Sequence, residues 1–370
     1  MGIWIFYLLA IIPLLIGGIL WLRDREITIG EWIGGSVIGF LLAGIFQFIS
    51  IWSMTRDVET WSGEIVKVTH CPAWTEQYTE THTTTDSDGK SHTYTTTEYD
   101  HHPEHWDASN NFGTYQNEEG ISLSFFDEAT ARFGGSIVVD GSQPTSHGGF
   151  CISGDQSRYS AHNQTGYVYP VTVERHFENR IKAAPTLFSF SKVPTNVAVY
   201  AWPNNPDWQH SDRLMGTARV TIDALEFDRF NSRVGPRKRV NVIMIGFGQR
   251  DISYAEWQRA KWIGGKKNDL VLCYGGLRDG KPSWSKVFGW SDSEICKRNL
   301  ESILLQNAPT TKILPIIEQE IVRGYTIKDW KAFDYISVEP PAWSYWVFCI
   351  VLILAQSGFY IWAANNEISK

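Results

Sequence analysis

The chain has few cysteines, no excess of positive charge and none of the short motifs that mark common catalytic sites. Its 370 residues contain five cysteines and no CxxC pair, which argues against a zinc ribbon or a thioredoxin-type redox site. Lys and Arg total 33 against 40 Asp and Glu, so the net charge is −7, and no basic stripe is available to neutralise a phosphate backbone. We therefore expect no nucleic-acid partner.

The catalytic motifs that are missing include GxSxG, HExxH, the DxDxDG calcium loop and the protein-kinase signatures. The run Gly264-Gly265-Lys266-Lys267 follows a predicted helix and precedes a predicted strand, which is the wrong order for a phosphate-binding loop. We interpret it as a capped helix end whose lysines complement the helix dipole. The sequence assigns no catalytic residue and no bound cofactor, and it favours a non-enzymatic role.

Charge is also missing from three long apolar runs, which predict transmembrane helices. Residues 3–22, 32–52 and 343–362 each have the length of a helix that crosses a hydrocarbon core roughly 30 Å thick. No Lys or Arg precedes the first run and Arg23 follows it, which favours a retained span over a cleaved signal peptide. Since no ionisable side chain lies inside the spans, a transport pathway is not indicated.

Small residues recur every fourth position in the second span, at Gly35, Gly39 and Ala43. This spacing predicts a face that lets another helix approach closely, with the first span as the nearest partner. The alternative is that glycine is simply common in membrane helices.

Charges beside the spans give an orientation. Arg23 and Arg25 place the short loop 23–31 in the cytoplasm, together with the C-terminus. Residues 54–342 are then extracytoplasmic, in the periplasm or at the cell surface. Acidic neighbours of the two arginines and Arg56 beside the second span oppose this assignment.

Four cysteines lie in the region expected outside the cytoplasm. Two disulfides are one interpretation of them, and four buried thiols are the other. The residues concerned are Cys71, Cys151, Cys273 and Cys296.

Alternating apolar and polar residues predict an antiparallel β-rich domain over residues 57–205. The threonine-rich stretch 79–99 contains Asp88-Gly89, which suits a two-residue type I′ turn and predicts a long polar hairpin. Because neither face of this hairpin offers apolar residues to bury, we expect it to project into solvent or contact a partner. A disordered loop is the alternative. The predicted strands of the domain are 64–70, 121–126, 136–139, 168–173 and 197–202.

Histidines cluster around this hairpin and raise the question of a divalent metal. The two-residue turn pairs Ser87 with Lys90, and that register places His82 and His92 on opposite faces. The candidate ligands are therefore His101, His102 and His105. Asp269, beside a predicted strand, is a further candidate, although a turn residue is the preferred interpretation of it. The alternative for residues 82–105 is a solvated segment that senses acid.

Helical and strand patterns alternate in residues 213–335 and predict a sheet covered by helices on both faces. The predicted strands are 239–246 and 270–274, and the predicted helices are 220–231, 251–262, 292–306 and 311–325.

The order of motifs over residues 213–330 resembles the TPM domain family. The resemblance rests on Gly265-Lys266-Lys267-Asn268-Asp269 with the apolar strand 270–273, and on Gly289 ahead of the helix 294–305. It implies an α/β/α sandwich tethered outside the cytoplasm. For function it implies either an acid-phosphatase-like activity or a role in the assembly and quality control of membrane complexes. The chain departs from the family over residues 288–292, so no catalytic residue is carried over.

The sequence thus predicts a membrane-anchored α+β protein with three transmembrane helices, a β-rich domain and a TPM-like α/β/α domain. The function it favours is a scaffold that contacts a protein partner or a second copy of itself. Metal-assisted phosphoester hydrolysis and acid or metal sensing are the alternatives.

Overall fold

The structure is a computed structural model that describes residues 4–24, 28–111, 120–140, 158–203 and 212–366. The helices of these residues, numbered along the chain, are α1 (Trp4–Asp24), α2 (Ile29–Thr55), α3 (Leu123–Arg132), α4 (Arg180–Ala183), α5 (Ala218–Thr221), α6 (Ala224–Lys238), α7 (Ser253–Lys261), α8 (Glu294–Gln306), α9 (Leu314–Gly324) and α10 (Ala342–Asn366). The strands are β1 (Arg56–Cys71), β2 (Trp74–Thr85), β3 (Ser91–His102), β4 (His105–Asn110), β5 (Val138–Asp140), β6 (Arg158–His162), β7 (Pro170–Glu178), β8 (Leu214–Gly216), β9 (Asn241–Gly246), β10 (Asp269–Gly275) and β11 (Trp284–Phe288).

Helices α1, α2 and α10 pack into a bundle around a small buried cluster made of Phe6, Ala10, Ala43, Phe348 and Leu352. By length and composition, α2 and the Ala342–Phe359 part of α10 are able to cross a membrane. The first predicted span coincides with α1, which is helical but is not one of these two. Over the described residues the structure therefore supports two candidate spans where the sequence predicts three.

Strand β1 connects the bundle to the rest of the fold. Arg56, its first residue, directly follows the last residue of α2, and its N–H donates to the carbonyl of Trp52. The first half of β1 pairs with β7, and the second half pairs with β4 and β6 beyond a register shift between Ile65 and Lys67. One sixteen-residue strand thus carries two sheet segments.

The core of the β-rich region lies beneath α3, a helix that the sequence prediction missed. The stretch 121–126 was expected to be a strand, but Ser122 caps a helix by accepting from the N–H of Phe125. Phe126, Ala129 and Phe133 are buried on one face at helical spacing, against Val68 and Ala161. The short apolar run at 121–126 predicted a strand, but the apolar residues that follow continue at helical spacing, and the segment folds as a helix.

The predicted strand 197–202 is also wrong. Tyr200 donates its N–H to the side-chain Oε1 of Gln258 at 2.9 Å, and its carbonyl accepts from Nε2 of the same side chain at 3.0 Å. One buried glutamine of α7 therefore satisfies the backbone groups that a neighbouring strand would have paired.

The second half of the chain forms the expected layered domain. Its sheet has the order β11-β10-β9-β8, with β8, β9 and β10 parallel and β11 antiparallel. Helices α6, α8 and α9 cover one face, and α7 covers the other together with Tyr200 and Trp202. The three-layer arrangement predicted from the alternating pattern is what the described residues form.

Candidate functional site

The polar hairpin is present, but its turn differs from the one expected. The N–H of Asp86 donates to the carbonyl of Lys90, the N–H of Gly89 donates to the carbonyl of Asp86, and Gly89 has a φ of +76°. This is a three-residue loop with glycine in the left-handed position, which forms a bulge. Thr85 therefore pairs with Ser91, whereas a two-residue turn would pair Thr85 with His92.

The change of register corrects the placement of two histidines. A shift of one residue exchanges the two faces of a strand relative to its partner. His82 pairs with Tyr94, so His82 and His92 lie on the same face and not on opposite faces. They do not converge, because His82 contacts the hydroxyl of Thr96 at 2.9 Å while His92 turns to the carboxylate of Asp86 at 3.0 Å.

The structure does not bring the proposed metal ligands together. His101 and His102 are consecutive in β3 and occupy opposite faces: His101 contacts the hydroxyl of Thr75 at 2.8 Å, and His102 stacks on Trp74 with ring centroids 4.5 Å apart. His105 lies in a different sheet, opposite Cys71. Asp269 belongs to the α/β domain and begins β10. The structure therefore does not bring these four candidate residues together at one place.

Among the described residues, one other group has the spacing of a metal site: Cys71, His105 and Asp107, whose ligand atoms lie within 4.8 Å of one another. The sequence gives a signal for it, since His105 and Asp107 are two apart on one strand face. Cys71, however, is disulfide-bonded and offers no thiolate. Burial raises the pKa of the Asp107 carboxyl, and the neighbouring His105 and Lys67 oppose that rise. The group is better explained as a partly buried contact between an imidazole and a carboxylate beside a disulfide.

The cysteines divide into two sets. Cys71 is disulfide-bonded, and Cys151 lies outside the described residues. Cys273 and Cys296 are free and buried, so the interpretation that places all four cysteines in two disulfides is corrected. Burial raises the pKa of the Cys296 thiol to about 11 and also raises that of the Cys273 thiol, which makes both poor nucleophiles.

Asp269 is a structural carboxylate. It is completely buried, one of its oxygens accepts from the amide of Asn241 at 2.8 Å, and the other accepts from the N–H of Lys266 at 2.7 Å. The carboxylate thus fixes the turn that leads into β10 and ties it to β9. Burial raises its pKa to about 6, although these two bonds oppose the rise. Both carboxylate oxygens thus have partners within the fold, and the group is not exposed to solvent.

The turn that Asp269 fixes also holds β1 against the α/β domain. The amide of Asn268 donates to the carbonyl of Thr60 at 2.6 Å, and Lys267 lies 3.7 Å from the carboxylate of Glu59. The residues that resemble the TPM motif therefore contact β1, the strand that follows the helical bundle, and they hold the α/β domain against it.

The small-residue stripe of α2 lies inside the bundle. A Cβ added at Gly39 would meet Nε2 of Gln356 at 3.3 Å and the carbonyl oxygen of Ala10 at 3.7 Å, so both α1 and α10 approach this face. Gly35 accepts a hydrogen bond from the Gln356 amide through its carbonyl, and Ala43 is fully buried. The stripe contacts two helices and not only the first.

Most residues of the hairpin are exposed. In the described part of the chain, β2 and β3 pair only with each other, over twelve residue pairs. One face is dominated by threonine, with Thr79, Thr81 and Thr83 opposite Thr97, Thr95 and Thr93. The other face carries both carboxylates and aromatic rings. Among these, the rings of His82 and Tyr94 stack with their centroids 5.2 Å apart. Cross-strand pairs of this kind stabilise each register position by roughly 0.2–1 kcal/mol.

A cationic cleft of about 730 Å³ lies between β11 and the start of α8. Several of its cations already have acidic partners: Lys297 lies 2.7 Å from Glu294, and Lys328 lies 2.6 Å from Asp292. Its positively charged residues are Arg259, Lys286, Lys297, Arg298 and Lys328. The cleft offers charge for an anion, and no nucleophile with an adjacent base is identified among its residues.

No protein-family model, no curated protein and no solved structure matches this chain. The resemblance to the TPM domain accordingly stays a prediction from the residues quoted above.

Proposed function

We propose that this chain is a membrane-anchored interaction protein whose hairpin, β2–β3, is the arm that contacts a protein partner. The observation that carries the proposal is the hairpin itself: two twelve-residue strands that stand apart from every core and expose nearly all of their side chains. Isolated hairpins are marginally stable in water. A hairpin this long that is folded although most of its side chains are exposed favours a surface used for contact with a partner.

The edges of the hairpin supply the binding groups. Neither β2 nor β3 has a second strand beside it among the described residues. An unpaired edge presents N–H and C=O groups in the spacing that a further strand needs, so an extended segment of a partner can add to it. Side chains on alternate faces then set specificity, threonines on one side and Tyr94 with its acidic neighbours on the other.

Anchoring is supported by the outer surface of the helical bundle. Leu8 of α1, Phe48 of α2 and Trp346 of α10 are 61%, 69% and 74% exposed, and their neighbours on the same faces are apolar too. A water-soluble protein rarely exposes so continuous an apolar surface, whereas lipid would cover it. We extend the membrane assignment to α1 on this ground, so that all three helices cross.

The proposed orientation places residues 54–342 outside the cytoplasm. The disulfide at Cys71 supports it, because disulfides persist mainly in oxidising compartments. Arg25 lies outside the described residues, so the charge bias of the short loop 23–31 adds no structural support. Since α2 runs into β1 without a loop, the folded region is held at a fixed position next to the bilayer. Such a placement suits a protein that assists the assembly of a membrane complex.

Photo-crosslinking in intact cells tests the hairpin as the contact arm. Tyr99 is replaced by p-benzoylphenylalanine, which is similar in size and shape, and Tyr335, exposed at 75% outside the hairpin, receives the same replacement as a control. We expect one discrete protein adduct from position 99 and none from position 335. Adducts of the same size from both positions, or none from either, would contradict the proposal.

Deletion gives an independent test. Replacing residues 75–101 with a short Gly-Ser turn removes the arm and leaves every core residue in place. We expect the native complex, measured on a non-denaturing gel after mild detergent extraction, to fall to the mass of the chain alone. An unchanged complex would show that the hairpin is dispensable for assembly.

A second candidate function, phosphoester hydrolysis, is favoured only by the cationic cleft. The full chain in detergent is assayed with a generic phosphoester in the presence of Mg²⁺, Ca²⁺ or Zn²⁺. Turnover that falls in Arg298→Gln and not in the control Arg132→Gln would support it. Arg132 is a comparable exposed arginine on α3 whose guanidinium lies over Tyr167.

A further inference from the structure

We infer that the chain holds one anionic glycerophospholipid in a cavity at the end of α2, an inference that rests on the membrane anchoring proposed above. The cavity measures about 690 Å³ and lies where α2 passes into β1 and meets β7. That volume is within the range of about 300–1,000 Å³ typical of sites for small organic ligands. Its lining divides into an apolar part on the helix and a basic part on the strands.

The apolar part suits an acyl chain. Phe48, Ile51 and Trp52 follow one another at helical spacing along α2 and face the cavity. Gly44 leaves room at its deeper end: a Cβ there would first meet the hydroxyl oxygen of Tyr7, at 3.8 Å. A bulkier residue at position 44 would occupy space that the cavity now leaves open.

The basic part suits a phosphate. The guanidinium carbon of Arg56 lies 4.6 Å from the centre of the Trp52 ring, and Nη2 of Arg56 lies 2.8 Å from Nε2 of His176. The fork of five N–H donors on an arginine matches phosphate oxygens in a bidentate way, and contact with one imidazole leaves donors for an anion. Glu178 also lines the cavity, but its carboxylate accepts from Nε of Arg180 at 2.8 Å, which offsets its charge.

The wall of the cavity includes a polar amide from α2. Gln47 lines it, and the Oε1 of Gln47 is buried without a hydrogen-bond partner among the described residues. Buried polar atoms are normally paired in folded proteins, and an unpaired one is unfavourable. Gln47 therefore supplies a polar side chain to the wall of the cavity.

The position of the two parts selects a lipid over other amphiphiles. Trp52 lies at the end of α2, where aromatic rings favour the membrane boundary, and Arg56 follows it on the side of the folded region. A lipid of that leaflet would place its acyl chain along Phe48 and its phosphate against Arg56 without leaving its normal depth. The basic end gives a preference for an anionic headgroup over a zwitterionic one.

Native mass spectrometry of the detergent-purified full chain tests the inference. The protein is incubated with equal concentrations of phosphatidylglycerol and phosphatidylcholine, and bound lipid is counted. We expect one phosphatidylglycerol per chain, retained about tenfold more than phosphatidylcholine. Gly44→Leu should remove both adducts, and Arg56→Gln should abolish the preference between them.

Two variants serve as matched controls. Gly358→Leu places the same side chain on another membrane helix, at a position with nothing within 4 Å of an added Cβ, and Arg132→Gln removes an arginine far along the chain from the cavity. Both should retain lipid as the wild type does. Equal retention of the two lipids by wild type, or unchanged retention by Gly44→Leu, would overturn the inference.

Two further outcomes are distinguishable. Displacement of the adduct by millimolar inorganic phosphate would assign the basic end to a free anion and overturn the lipid assignment. Release of the chain from membranes by alkaline carbonate without detergent would contradict the anchoring itself. A chain that needs detergent for release but retains no lipid contradicts only the present inference.

Discussion

Arg213 and Asp228 form an ion pair at 2.8 Å in which the side chains are only 1% and 4% exposed. The same guanidinium contacts the hydroxyl of Ser62 in β1 and the Oδ1 of Asn241 in β9. Burial lowers the pKa of Arg213, and the charge of Asp228 opposes that change. This ion pair therefore lies at the junction where the α/β domain meets β1, the strand that continues from the helical bundle.

Removing one member of this ion pair should destabilise the protein strongly. Arg213→Met leaves Asp228 as a buried charge without its counter-ion, and we expect a loss of about 3–5 kcal/mol in the free energy of unfolding. The exposed pair Arg219–Asp212, at 57% and 61% exposure, supplies the control: Arg219→Met should cost at most about 1 kcal/mol. Urea denaturation in detergent, followed by tryptophan fluorescence, measures both. Equal losses in the two variants would contradict the structural role of Arg213.

Asp269 should make stability depend on pH. Its pKa is about 6 in the folded chain, against an ordinary value of 3.8. The folded state therefore binds the proton more tightly, so this contribution to stability is complete below about pH 4 and is lost as the pH rises to about 6. Relative to Asp269→Asn, which does not titrate, wild type should lose up to about 1.4 kcal/mol per pH unit in that window. A constant difference in unfolding free energy from pH 4 to pH 7 would refute the assignment.

Gly39 should be intolerant of large side chains. Leucine at this position would push against Gln356, Leu352 and the carbonyl of Ala10, and overpacking of this kind costs about 1–3 kcal/mol. Gly30→Leu, at the start of the same helix with open space around it, is the control and should be neutral. The midpoint of thermal unfolding in detergent, followed by circular dichroism, distinguishes them. A Gly39→Leu variant as stable as Gly30→Leu would mean that the helices do not approach at this face.

The register of the hairpin can be tested by engineered disulfides. Thr81 lies directly opposite Thr95, so Thr81→Cys with Thr95→Cys should oxidise to a disulfide. A two-residue turn would instead pair His82 with Thr95. In the observed register these two residues lie on opposite faces, so the variant with His82→Cys and Thr95→Cys should stay reduced. Thiol counting after mild oxidation measures the difference. The reverse result would restore the two-residue turn.

Thiol labelling should separate the native cysteines. In protein unfolded without reductant, Cys273, Cys296 and Cys349 should react with an alkylating reagent, whereas Cys71 should react only after reduction. Peptide mass mapping identifies each site. Labelling of Cys71 before reduction would show that Cys71 forms no disulfide. The main support for an extracytoplasmic location would then be lost.

The central elements of the α/β domain were predictable from the sequence because strands β9 and β10 are buried on both faces and the long helices carry an apolar stripe. Strand β10 and helix α8 lie within two residues of their expected bounds. The β-rich region was harder to predict, since α3 and the segment around Tyr200 depend on partners distant in sequence. The candidate histidine ligands are also separated by the tertiary structure: His101 and His102 lie on opposite faces of β3, and His105 lies in another sheet.

The sequence by itself determined the apolar helices, the layered domain and the existence of a polar hairpin, because hydrophobic period and turn residues act locally. Only the tertiary structure decided the hairpin register, where one glycine in a left-handed conformation added a residue to the turn and exchanged the faces. It also decided that Asp269 and Arg213 are buried structural charges, since burial depends on what the rest of the chain packs around them. The same holds for the cavity beside Arg56, which exists because α2 passes into β1 next to a strand more than a hundred residues away.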